Sequence, residues 1–171
     1  MQLQNKYKRF AVCGMMTALA VIAGYVEMLI PVNFGVPGIK LGLANAVILI
    51  AMHSMGVKEA CIISGVRILI NGSLFGNVMY MLFSFAGAVF SMGIMLILKK
   101  AGGFGLTGIS VSGAIAHNAG QILVAVFVVS FRQLFYYLPF LILAGTLSGI
   151  AIGLITGEIL KRTEGYIRRN I

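Results

Sequence analysis

Aspartate is absent from this chain, and glutamate occurs only at Glu27, Glu59, Glu158 and Glu164. Acid/base pairs and magnesium–diphosphate binding depend on clustered carboxylates, so neither chemistry has a footing here. The two cysteines, Cys13 and Cys61, lie far apart with no CxxC or CxxH around them. They read as small apolar packing residues rather than a disulfide or a metal site. There is no GxxxxGK[ST] phosphate loop, no HExxH, and no Ser or Cys beside a recognisable base. ATP hydrolysis and nucleophilic catalysis are therefore not expected of this chain, nor is a metal or a cofactor. It does not read as an enzyme.

Charge is scarce as well. Only 10% of the 171 residues are charged, against about a quarter in an average soluble domain. Hydrophobic residues make up 60% of the chain, and the mean hydropathy is +1.02. With so few charges to cover an outside, lipid is the expected solvent, and residues 1–171 read as one transmembrane domain. A membrane-crossing helix needs roughly 17 to 25 mostly apolar residues. Polar and Gly/Pro-rich punctuation cuts the chain into six such runs near 10–30, 39–55, 57–71, 77–98, 106–130 and 134–160. The first run continues too far behind Lys6, Lys8 and Arg9 to be a cleaved signal. None of the runs alternates with period two, which excludes a β-barrel. The expected fold class is an all-α bundle of six transmembrane helices.

The net charge of +9 would suggest nucleic acid in a soluble protein, but here it maps onto topology. With the N-terminus inside, the cytoplasmic segments carry Lys6, Lys8, Arg9, Lys58, Lys99, Lys100, Lys161, Arg162, Arg168 and Arg169. The outer loops carry only Lys40 and Arg132, a strong positive-inside bias. Both termini are expected in the cytoplasm, in a multi-pass protein of the cytoplasmic membrane. An odd number of spans would put one terminal basic cluster outside.

Small residues mark contact faces. Gly145, Gly149, Gly153 and Gly157 recur every four residues in the last run, on one helix face. They suit tight packing within the bundle or contact with a partner protein. Gly14 with Ala18 and Ala20 with Gly24 are weaker pairs in the first run.

Polar side chains within the runs gather at the outer end: Glu27, Asn45, Arg67, Asn71, Asn77 and Tyr80, then His117, Asn118 and Gln121 near mid-depth. Arg67 and Asn71 share a helix face, as do His117 and Gln121. This asymmetry predicts a polar cavity in the outer half of the bundle. A lone Arg within a membrane faces the interior and pairs with something. For Arg67 the choices are a structural pair with Glu27, snorkelling to the headgroups, or an anionic ligand, to which Lys40 would add. His117 suits an interhelical hydrogen bond or a ligand contact. Between the first two runs, residues 31–40 hold two prolines and two glycines. Such a loop suits a lid or a plain re-entrant connector.

The segment Pro37-Gly-Ile-Lys-Leu-Gly-Leu-Ala-Asn45 behind this loop resembles the substrate-binding S subunits of energy-coupling factor vitamin transporters. Together with Arg67-Ile-Leu-Ile-Asn-Gly-Ser73 and Ala116-His-Asn-Ala-Gly-Gln121, it is similar to the Gx transporter or heptaprenyl diphosphate synthase component I group. The resemblance implies a six-helix subunit that captures a small molecule from outside beneath its first loop. It also implies a membrane coupling subunit and cytoplasmic ATPases as partners. The helix-one small-residue pattern of the S subunits maps only loosely onto Gly14, Ala18, Ala20 and Gly24. The group's name offers the alternative of a non-catalytic accessory subunit in heptaprenyl diphosphate synthesis. On the first view Lys40, Asn45, Arg67, Asn71, His117, Asn118 and Gln121 are the expected ligand contacts, for a small anionic or amphipathic metabolite such as a vitamin, flavin or prenyl-linked compound.

Overall fold

The computed structural model describes residues 2–29, 42–129 and 132–170. Regular structure among them is entirely helical. The α-helices are α1 (Gln2–Leu29), α2 (Leu43–Ser54), α3 (Val57–Leu74), α4 (Val78–Ala101), α5 (Leu106–Val129) and α6 (Leu138–Asn170). A short 3-10 helix, Arg132–Tyr137, leads into α6. Within the described residues each expected run falls on one α-helix, except that the last begins in the 3-10 helix before α6. Lys40 and the proline-rich loop lie outside the described residues.

Sequence punctuation accounts for the boundaries. Gly42 precedes α2 with φ of 80°, a left-handed conformation that glycine adopts without strain, and the helix begins at Leu43; residues 39–41 of the expected run lie outside the described residues. Asn77 starts α4 as an N-cap, its side-chain oxygen accepting from Tyr80 N at 2.8 Å. Gly102, with φ of 72°, ends that helix after Lys99 and Lys100. Pro139 sits in the first turn of α6, where its missing N–H costs no helical bond.

Four helices contain segments long and apolar enough to cross a membrane: Tyr7–Leu29, Val78–Ala101, Leu106–Val128 and Phe135–Thr163. They mark the chain as a membrane protein. The other two differ for visible reasons. α3 carries Lys58, Glu59 and Arg67. α2 has 12 residues and rises only about 18 Å. Yet α2 is the core helix, with Ala44 and the whole run Val47–Met52 buried.

Glycine draws α5 and α6 together. A Cβ on Gly149 would lie 2.6 Å from Val111 Cα, and one on Gly153 would lie 2.6 Å from Thr107 Cα. Gly145 meets the Ala114 backbone one turn further along. The four-residue repeat of α6 is therefore an internal helix–helix contact, the first of its two readings. Gly113 and Gly120 do the same between α5 and α4, against Met95 and Phe90. At the opposite end from Glu27, Arg9 donates to Glu59 at 2.7 Å and to Met55 O at 3.2 Å. Lys99 Nζ donates to Met52 O at 2.9 Å. Two cations thus cap the carbonyl end of α2, where the helix dipole favours positive charge. Of the cysteines, Cys13 is partly buried but Cys61 is exposed, so only the first packs as expected.

Candidate functional site

Where α2 begins, polar side chains from across the bundle line a narrow pocket. Glu27 contributes from α1, Gly42 and Asn45 from the start of α2, and Arg67 from α3. Ser84 of α4, Ala114, His117 and Asn118 of α5, and Ser148 and Ile152 of α6 complete the wall. All six helices converge on it.

Arg67 is the charge at its centre. The residue is 6% exposed, and its Nε has no hydrogen-bond partner among the described residues. Glu27 and Tyr80 are the groups that act on it electrostatically. Yet among the described residues the ion pairs are Arg9–Glu59 and Arg162–Glu158, and Arg67 forms none with Glu27. Glu27 instead accepts from the Leu43 backbone N–H at 2.6 Å. It thereby satisfies one of the orphan donors at the start of α2. That end of α2 carries the positive pole of the helix dipole and lies at the cavity wall. A guanidinium and a helix N-terminus together make an electropositive wall, partly offset by one carboxylate.

The amides differ in role. Asn118 Nδ2 donates to Leu141 O at 2.9 Å, which fixes α5 to α6 while the residue still lines the cavity. Asn71 is 1% exposed, and neither its Oδ1 nor its Nδ2 has a hydrogen-bond partner among the described residues. Its amide lies over Gly24, where a Cβ would collide with Nδ2. His117 packs its ring on Gly87, at 2.8 Å from where a Cβ would stand.

Of the seven expected contacts, Asn45, Arg67, His117 and Asn118 line one cavity. Asn71 packs one turn beyond Arg67 without reaching the wall, Gln121 is half-buried off the wall, and Lys40 is outside the described residues. Sequence reasoning did not select Ser84, Ser148, Gly42 or Ile152 as lining residues. The serines resemble others along α4 and α6, and only the helix crossing singles them out.

The model of the heptaprenyl diphosphate synthase component I family matches residues 16–159, most of the chain and every helix of the bundle. The chain belongs to that family. Comparison with curated proteins and with solved structures returns no match.

Proposed function

We propose that this component I family member is a membrane-embedded binding subunit that captures a small anionic or amphipathic metabolite in the Arg67 cavity for uptake. The observation that carries the reading is Arg67 itself: buried, lining a cavity, and without a salt bridge to Glu27. An Arg inside a membrane bundle costs ~2.5–3.5 kcal/mol on insertion scales, so its retention without a close ion pair among the described residues calls for a use. The start of α2 supports the same ligand charge. Transporters aim the N-termini of interrupted helices at anionic groups within the membrane.

In this reading all six helices cross the cytoplasmic membrane with both termini inside, and the cavity opens outward. Arg67 holds the anionic group, and Asn45, His117 and Asn118 orient the rest by hydrogen bonds. Lys40 stands at the mouth, with Asn71 and Gln121 as outlying contacts. A membrane coupling subunit and cytoplasmic ATPases supply the energy, since this chain carries no phosphate loop of its own.

The family match favours a second reading, a non-catalytic component that works beside another subunit in heptaprenyl diphosphate synthesis. Copurification separates the two: ATPases with the chain favour uptake, and an aspartate-rich prenyl synthase favours synthesis. Binding itself is tested by native mass spectrometry of the purified full chain. The expected result is a defined non-lipid anionic metabolite released on activation and missing from Arg67→Met. A clean apo mass, unchanged after incubation with vitamin and prenyl diphosphate pools, contradicts the binding reading.

A further inference from the structure

We propose that Gly87 is a positioning residue for the Arg67 pocket: having no Cβ, it seats the His117 ring against α4 and keeps the imidazole from lying across the pocket. The consequence for binding rests on reading that pocket as a ligand site, while the seating itself stands on packing alone.

Gly87 is buried in α4, between Ala86 and Ala88. A Cβ there would stand 2.8 Å from both Cε1 and Nε2 of His117, and 2.9 Å from Cδ2. Carbon atoms in ordinary contact sit about 3.5–4.0 Å apart, so a methyl group and the ring cannot both keep these places. The imidazole fits because this one position of α4 has no side chain.

The two helices have little freedom to make the room instead. Three residues further along α5, a Cβ on Gly120 would meet the Ala86 carbonyl oxygen at 3.0 Å, so the two backbones are already close beside Gly87. Four residues before His117, a Cβ on Gly113 would come within 2.7 Å of Met95 and 3.2 Å of the Ser91 hydroxyl. His117 thus stands between two glycine contacts that set the spacing of α4 and α5. Parting the helices would loosen both. Turning the imidazole moves one side chain and leaves both in place. The open space that the ring already borders is the pocket, which Asn45 lines from α2 and Arg67 from α3. Alanine at position 87 therefore swings the imidazole toward Arg67, and the pocket closes while the bundle stays together.

The test is NMR of the full chain in lipid nanodiscs with isotope-labelled histidine, paired with equilibrium dialysis against inorganic phosphate. The chain has two histidines, and His53, in the last turn of α2, serves as the internal control. In wild type the Cε1 proton of His117 should show a nuclear Overhauser contact to the Gly87 α-protons. In Gly87→Ala the His117 resonance should shift while that of His53 holds, and phosphate affinity should fall about tenfold. In a His117→Ala background the same change should alter affinity less than about twofold. Absence of the Overhauser contact, or an unmoved His117 resonance in Gly87→Ala, overturns the proposal. So does a loss of affinity that persists in the His117→Ala background, which would mean that the helices had moved. Unfolding of Gly87→Ala overturns it too, because the ring would then have no pocket to enter. If phosphate binds wild type no better than Arg67→Met, the anion reading fails by itself, and the Overhauser contact and resonance shift decide the seating.

Discussion

Between α5 and α6, glycine sets backbone against backbone, and between α4 and α5 it makes room for Met95, Phe90 and His117; between α1, α2 and α3, contact runs through side chains and a few polar groups. Gly149 and Gly153 each leave room for a Cα of α5, whereas Cβ atoms on Gly14 and Gly65 would meet nothing within 4 Å. The apolar segment of α1 is 11% buried, against 33% for those of α4 and α5. Close helix approach is how membrane bundles gain packing energy, because lipid gives apolar side chains no reason to hide from it. The C-terminal half is thus a close-packed platform. The N-terminal half supplies Glu27, Arg67 and the start of α2, the polar groups that give the cavity its charge. The charged binding groups therefore come from α1 and α3 with the start of α2, and His117 and Asn118 face them from the tight half.

The sharpest way to break this contrast is a bulky residue at each kind of glycine. Gly149→Leu forces α5 and α6 apart and should cost about 3 kcal/mol or more, read as thermal unfolding in detergent. Gly14→Leu should stay within about 0.5 kcal/mol in the same assay. Equal losses would mean that the halves do not differ. Next in size is Gly24→Ala, which must displace the Asn71 amide between α1 and α3. A loss of roughly 1–2 kcal/mol is expected, and Asn71→Ala in the same chain should restore part of it. A strictly additive double variant would show that the two do not meet. Arg9→Ala removes the bond to Glu59 and one cap on the end of α2. About 1 kcal/mol should be lost, less in high salt. The smallest effect belongs to Arg162→Ala, whose partner Glu158 is also largely exposed. That change should fall below about 0.5 kcal/mol.

Much of this was legible in the sequence because membrane helices declare themselves by composition. The six runs predicted from apolar length each became a helix, and the glycine repeat of 145–157 became a contact face. The gathering of Asn45, Arg67, His117 and Asn118 followed from depth alone, since polar groups in lipid turn inward. What depth cannot give is rotation about each helix axis. Asn71 lies one turn from Arg67 yet packs on Gly24, and Gln121 lies one turn from His117 yet stays off the wall. The role of Glu27 was hidden for a related reason. Its partner is the backbone N–H of Leu43, and a backbone donor leaves no mark in a residue pattern. The start of α2 at Leu43 depends on Gly42, one of 22 glycines in the chain, with nothing in its type to set it apart.

The account turns on whether Arg67 is kept for a ligand or for the fold, and a double-mutant cycle of Arg67→Met with Glu27→Gln decides between them. Thermal unfolding of the ligand-free protein would be measured for wild type, both single variants and the pair. If Arg67 has no structural counter-ion, replacing a buried charge with an apolar side chain should leave stability unchanged or raise it. Its coupling to Glu27 should then stay within about 0.5 kcal/mol. A loss of about 3–5 kcal/mol in Arg67→Met, largely cancelled in the double variant, would identify a buried ion pair and contradict the ligand-binding account.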